Sequence, residues 1–315
     1  MDLLDLPDNP IPEGAVVTEL KTIDDVRLRA ARWRHRSGDA LGTVCIFPGR
    51  AEQIEKYFHV VEKLLARGFA VAVLDWRGQG GSQRLTRDPR KGHATSFNDF
   101  RRDIEVFRKS FVLPDCPAPY FGLAHSMGGL IVLGAAPGLS SWLSRLVLTS
   151  PLLGFPSWSP PHGRVRLFAR SLCALGLGRM DAPGQVARMR RMAEFEGNPL
   201  TSDTVRHAVM KAITKARPDL SIGPPTVQWV KQAALAIDRV NAESFPGAVR
   251  VPVMLVNAGA DGVVSPVAVE TMARRLRNPA YVLIPGARHE ILMERDVYQT
   301  QFWAAFDAFV PGTAV

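Results

Sequence analysis

Short runs of apolar residues recur along the chain at 43–47, 70–75, 120–124, 146–150, 251–257 and 281–284. As a group they are rich in β-branched side chains and run apolar throughout instead of alternating with polar residues. That pattern predicts strands buried on both faces, as in a parallel sheet. Upstream, 16–20 and 26–33 flank Thr22-Ile23-Asp24-Asp25 and predict an antiparallel hairpin at the sheet edge, for eight strands in all. Between strands the period changes to that of helices. Phe100, Ile104, Phe107 and Phe111 share one helical face, and Ser96 followed by Asp99 predicts a capping box ahead of them. Ser265-Pro266 predicts the start of a helix running through Leu276, and a last helix covers 297–309. From 152 to 248 the rhythm fails. This stretch is rich in Arg, Met, Pro and Gly, with amphipathic pieces at 164–175 and 227–240. The pattern therefore predicts an α/β core made of residues 1–151 and 249–315, interrupted by a mainly helical insertion at 152–248.

Composition narrows the class. With 46% hydrophobic and 22% charged residues in 315, the chain is an ordinary globular protein with enough length for a substantial core, and disordered or collagen-like classes are excluded. Cys45, Cys116 and Cys173 are widely spaced and odd in number, which argues against a disulfide framework or a thiolate zinc site. No apolar run approaches the roughly 18 residues of a membrane span. Met1-Asp2-Leu3-Leu4-Asp5 is acidic where a secretory signal is basic, so a cytoplasmic protein is expected.

The net charge is +9 and unevenly spread. Residues 152–248 hold 13 Lys/Arg against 7 Asp/Glu, a local excess of +6. A second cluster comprises Arg77, Arg84, Arg87, Arg90 and Lys91 against Asp88. Such surfaces suit solubility, an anionic substrate or transient contact with an anionic membrane. Without zinc-finger spacing, an RNP-like motif or a long basic tract, nucleic acid is not expected as a partner. Oligomeric state is not encoded in any of these features.

One segment concentrates the chemistry. Tyr120-Phe-Gly-Leu-Ala-His-Ser126-Met-Gly-Gly runs from a strand into a small-residue helix, which places Ser126 on the sharp turn of a nucleophile elbow. Ala124 replaces the first glycine of G-x-S-x-G, while Gly128 and Gly129 are present. A serine hydroxyl needs a general base, and that base an orienting acid. In the chain order Ser, acid, His, Asp261 follows the strand at 251–257 and His289 follows the strand at 281–284. In a parallel sheet both loops leave at the edge where the elbow lies. Glu290 and Glu294 are nearer His289 in sequence but less well placed, and His125 reads as packing. Two backbone donors are expected for an oxyanion: the Met127 N–H and, from the turn Pro48-Gly49-Arg50-Ala51, the Arg50 N–H.

GLAHSMGG, PGRAEQIEKY, DWRGQGGSQR, AGADGVVSP and ARHEILME together resemble the α/β-hydrolase superfamily, more narrowly its lysophospholipase and monoacylglycerol lipase branch with the serine aminopeptidase-like hydrolases. The resemblance covers nearly the whole chain outside 152–248. It implies an eight-stranded, mostly parallel sheet flanked by helices, with a helical lid after the sixth strand. It also implies Ser126, Asp261 and His289 as the triad, with Arg50 and Met127 as oxyanion donors. Pro48 stands where many relatives have histidine. Asp75–Ser82 lacks G-x-G-x-x-G spacing and reads as a loop bordering the site, so no nucleotide cofactor is expected, and no metal. The expected substrate is a lysophospholipid, a monoacylglycerol or a smaller ester. Leu152, Leu153, Phe155, Trp158, Leu167, Phe168, Met189, Met192, Phe195 and Trp229 either wall a lipid pocket or form the insertion's own core. A peptidase would instead place an acid in the insertion for a substrate amino terminus, with Glu194, Glu196 and Asp203 as candidates.

Overall fold

The computed structural model describes residues 2–35 and 40–310. In chain order its main elements begin with β1 (Val16–Lys21), β2 (Arg27–Trp33), β3 (Thr43–Phe47), α1 (Phe58–Leu65) and β4 (Ala70–Leu74). There follow α2 (Phe100–Phe107), β5 (Tyr120–His125), α3 (Ser126–Ala135) and β6 (Leu143–Thr149). Four helices come next: α4 (His162–Ala174), α5 (Gln185–Ala193), α6 (Thr204–Ala216) and α7 (Val227–Asn241). The chain then returns to the sheet through β7 (Val253–Ala258), α8 (Pro266–Arg275), β8 (Ala280–Ile284) and α9 (Asp296–Phe309).

The eight strands form one sheet in the order β1-β2-β4-β3-β5-β6-β7-β8. β2 pairs antiparallel with β1 and β4, and the remaining neighbours are parallel. Both faces are covered. Along β3, Cys45 and Phe47 enter one apolar layer with Trp76, Phe107 and Leu130, whereas Val44 and Ile46 enter the other with Phe58, Phe69 and Phe302. Each such side chain withdrawn from water contributes roughly 1.5–3 kcal/mol, which is why the strand sequences are continuously apolar.

The boundaries depart from expectation where backbone chemistry intervenes. β7 begins at Val253 because Pro252 has no N–H for the ladder, although its carbonyl accepts from Leu146 N–H at 2.9 Å. The capping box at Ser96 is not formed: the Ser96 hydroxyl accepts from Asn98 N–H at 3.2 Å, and α2 starts at Phe100 with no side-chain cap. The predicted apolar face survives, with Phe100, Ile104, Phe107 and Phe111 all buried. Ser265 does cap α8, accepting from Ala268 N–H at 3.2 Å.

Between β6 and β7 the described chain adds no strand to the sheet. Leu152, Leu153 and one face of α7, through Trp229, Ala233, Ile237 and Val240, belong to the main core. Ala169, Ala182 and Val227 form a small separate cluster.

Candidate active site

Ser126 joins β5 to α3 with φ +50°, a left-handed backbone that costs a serine on the order of 1–3 kcal/mol. The surroundings impose it. A Cβ at Gly128 would collide with the carbonyl oxygens of Phe47 and Pro48, so only glycine lets the first turn of α3 press against the end of β3. The turn thereby aims the Ser126 side chain along the carboxyl edge of the sheet.

His289 and Asp261 come to that edge from the loops after β8 and β7. His289 Nε2 lies 3.0 Å from Ser126 Oγ, and His289 Nδ1 lies 2.7 Å from Asp261 Oδ2. Asp261 Oδ1 accepts from the N–H groups of Val263 at 2.7 Å and Val264 at 3.0 Å. Burial pushes the Asp261 carboxyl up, but its interaction and hydrogen bond with His289 and these two N–H groups outweigh it and hold the carboxyl below its ordinary range. An ionised Asp261 fixes the proton on Nδ1 and leaves the Nε2 lone pair to accept from the serine hydroxyl. The two glutamates nearer in sequence are engaged elsewhere: Glu290 pairs with Lys56 at 2.7 Å, and Glu294 accepts from Ser202 and from Arg288 N–H.

The turn after β3 is braced on three sides. Trp76 Nε1 donates to the Pro48 carbonyl at 2.8 Å, and Gln79 Nε2 donates to the Gly49 carbonyl at 2.8 Å. Gly49 N–H donates to Glu52. Among the described residues nothing accepts from the Arg50 N–H, and the close approach at Gly128 brings the N-terminal turn of α3, with Met127, beside this turn. The loop at 75–82 thus borders the site, as the resemblance implied.

Sequence reasoning did not find the buried charges beneath the turn. Glu52 accepts from Lys56 Nζ and from Tyr57 OH, both at 2.5 Å, and lies 3.6 Å from His125 Nε2. Burial raises the Glu52 carboxyl, but the Lys56 charge and the hydrogen bonds from Lys56 and Tyr57 outweigh it and hold it well below its usual range. His125 does more than fill space. Its ring centroid lies 4.8 Å from that of His289, its Nδ1 lies 3.1 Å from the Thr149 carbonyl, and burial pulls its pKa down to about 3 against the pull of Glu52. A neutral His125 therefore backs His289. The available signal was Glu52-x-x-x-Lys56, an i,i+4 pair directly after the turn.

The family model described as serine aminopeptidase, S33, matches residues 38–296. The chain belongs to that family. It is an α/β-hydrolase of the lysophospholipase and monoacylglycerol lipase branch. Lysophospholipase L2 of Escherichia coli K12 is 32% identical over 305 residues, spanning 90% of this chain and 83% of the relative. Phospholipase YtpA of Bacillus subtilis is 24% identical over 268 residues, 83% and 93% of the two chains. Among solved structures, a soluble variant of Saccharomyces cerevisiae monoglyceride lipase superposes with a TM-score of 0.73 at 18% identity, over 94% of this chain and 95% of that one. In this α/β-hydrolase a hollow of about 290 Å³, lined by Arg29, Arg84, Arg90 and Arg217 among others, includes none of Ser126, His289 and Asp261.

Proposed function

We propose that the protein is a serine carboxylester hydrolase that cleaves lipid esters, lysophospholipids or monoacylglycerols, through an acyl-enzyme on Ser126. The observation that carries this reading is the continuous hydrogen-bond chain Ser126–His289–Asp261 on the rim of the sheet. Ser126 Oγ attacks the ester carbonyl carbon while His289 Nε2 takes its proton, and Asp261 stabilises the imidazolium. The Arg50 and Met127 N–H groups receive the oxyanion, each donor worth about 3 kcal/mol in the transition state. Collapse breaks the bond to the alcohol, which leaves with the proton from His289. Water then repeats the sequence on the acyl-enzyme, releasing the fatty acid and restoring the serine.

Residues 152–248 serve as a lid over this centre. Their contacts support that role: the Pro199 carbonyl accepts from His289 N–H at 3.2 Å, and Trp158 Nε1 donates to the Gly262 carbonyl at 3.0 Å. Similarity to Escherichia coli lysophospholipase L2 over most of both chains favours a lipid ester over a peptide amide. The three candidate acids for an amino-terminus site favour it too. Asp203 caps α6 and pairs with Arg206, while Glu194 and Glu196 are exposed.

No helix among the described residues is long and apolar enough to cross a membrane. Contact with a membrane surface is instead assigned to α4 and its surroundings, where Leu167, Phe168, Leu175 and Met180 are exposed beside Arg164, Arg170 and Arg179. Replacing Ser126 by Ala is expected to lower fatty-acid release from lysophosphatidylcholine by roughly 10⁴-fold or more and to abolish fluorophosphonate labelling. Unchanged release by the variant would overturn the assignment.

A further inference from the structure

The two buried arginines among the described residues are tied to acids. Arg29 pairs with Glu55 and Asp75, and Arg77 with Asp24 and Asp103. Among the described residues two half-buried arginines, Arg50 and Arg188, are not. Arg50, in the turn after β3, lays its guanidinium against Trp229, with Cζ 5.4 Å from the indole centroid, and Nη2 donates to the Gly223 carbonyl. Its Nε is buried without a partner. Arg188, on α5, stacks on Trp158 with Cζ 4.4 Å from the ring, and its Nη2 reaches the carbonyl of Gly262, next to Asp261, at 3.4 Å.

Among the described residues neither guanidinium pairs with a carboxylate. Burial and the neighbouring Arg188 charge together pull Arg50 down to about 10. Burial lowers Arg188 as well, although Asp261 opposes it. Two partly desolvated cations that repel one another are costly unless an anion joins them. The aromatic platforms and backbone carbonyls fix where the guanidinium forks lie before any anion arrives, which reduces the ordering cost of binding.

We propose that Arg50 and Arg188 form a subsite for the phosphate group of a lysophospholipid, beside the ester that Ser126 attacks. This deepens the ester-hydrolase reading and rests on it for the place of the scissile bond. In a lysophospholipid the glycerol backbone keeps the phosphodiester only a few bonds from the acyl ester, so a cation that reads it must border the reactive centre. Guanidinium forks match phosphate oxygens in geometry and charge. A monoacylglycerol has no anion to offer and leaves both cations uncompensated, so the pair selects between two substrates that share one acyl chain.

The test compares wild type with Arg188→Gln and Arg188→Lys on lysophosphatidylcholine and monoacylglycerol of equal chain length. Arg188→Gln is expected to lower the ratio of the two kcat/KM values roughly ten-fold, chiefly through KM for the phospholipid, with Arg188→Lys between it and wild type. A parallel binding measurement uses ether-linked analogues that cannot be hydrolysed. Wild type is expected to prefer the ether lysophosphatidylcholine to the ether monoalkylglycerol, and Arg188→Gln to lose that preference. A fall in both activities with an unchanged ratio would mean that Arg188 acts through Asp261 and would overturn the subsite, as would an unaltered preference in binding. Inorganic phosphate that displaces the ether phospholipid at equal concentration would replace the lipid headgroup by free phosphate as the ligand and overturn the lipid assignment. Selective binding that persists in a protein without esterase activity would count against the hydrolase reading and leave the phosphate subsite supported.

Discussion

Glu52 shows how a single side chain beyond the reacting groups sets the site. It holds Gly49 N–H, takes hydrogen bonds from Lys56 and Tyr57, and thereby fixes the residue that precedes Arg50, the proposed oxyanion donor. It touches no reacting atom and is a positioning residue. Glu52→Gln is expected to lower kcat roughly ten- to hundred-fold with a smaller change in KM, since a loosened oxyanion donor matters most in the transition state. It should also destabilise the fold by about 3 kcal/mol, because the buried Lys56 loses one of its two carboxylate partners. Steady-state kinetics and urea unfolding on the same variant separate the two effects, and a loss confined to KM would contradict the positioning role. At this scale the sequence displayed Ser126, His289 and Asp261, because chain order and the elbow pattern mark them. It concealed Glu52 and His125, whose partners become visible only once the turn, the elbow and the His289 loop are packed together.

At the scale of elements the strands were legible and the caps less so. A strand buried on both faces is apolar along nearly its whole length, as β4 is throughout and β3 is after Thr43. Ser96 failed as a cap because its hydroxyl is satisfied by Asn98 one turn early, a competition between two local hydrogen bonds that sequence leaves undecided. Helix α4 reads as amphipathic in sequence, yet Ala169 is its only buried side chain, while Leu167 and Phe168 are 65% and 56% exposed. The Leu167→Ser, Phe168→Ser double variant is expected to bind phosphatidylglycerol-containing vesicles about ten-fold or more weakly, since each apolar side chain inserted contributes roughly 1.5–3 kcal/mol. Co-sedimentation equal to that of wild type would remove α4 from the membrane contact.

For the molecule as a whole, charge is distributed differently from its linear pattern. Arg77 is neutralised inside the fold by Asp24 and Asp103, while nearer the surface Lys91 pairs with Asp181 and Arg90 with Asp88, so the basic run at 77–91 offers less free charge than its sequence suggests. Titration carries the same lesson. His59, packed on Leu292 with Nε2 2.7 Å from its carbonyl, is pulled down to about 4 by burial. In the unfolded chain it titrates near 6.5, so as pH falls from there toward 4 the unfolded state gains a proton that the folded state refuses, and stability is lost. Between pH 7 and pH 5, His59→Gln is therefore expected to gain about 1 to 2 kcal/mol relative to wild type in urea unfolding. A stability difference that does not change with pH would show that His59 takes its proton in the folded protein. The sequence by itself determined the eight strands, the order of nucleophile, acid and base, and the turn that precedes them, because periodicity and chain order are local properties. Only the tertiary structure decided which charges are paired, that Glu52 and His125 support the centre, and that Arg50 and Arg188 meet no acid among the described residues. Those are matters of distance between residues far apart in the chain, and no local pattern records them.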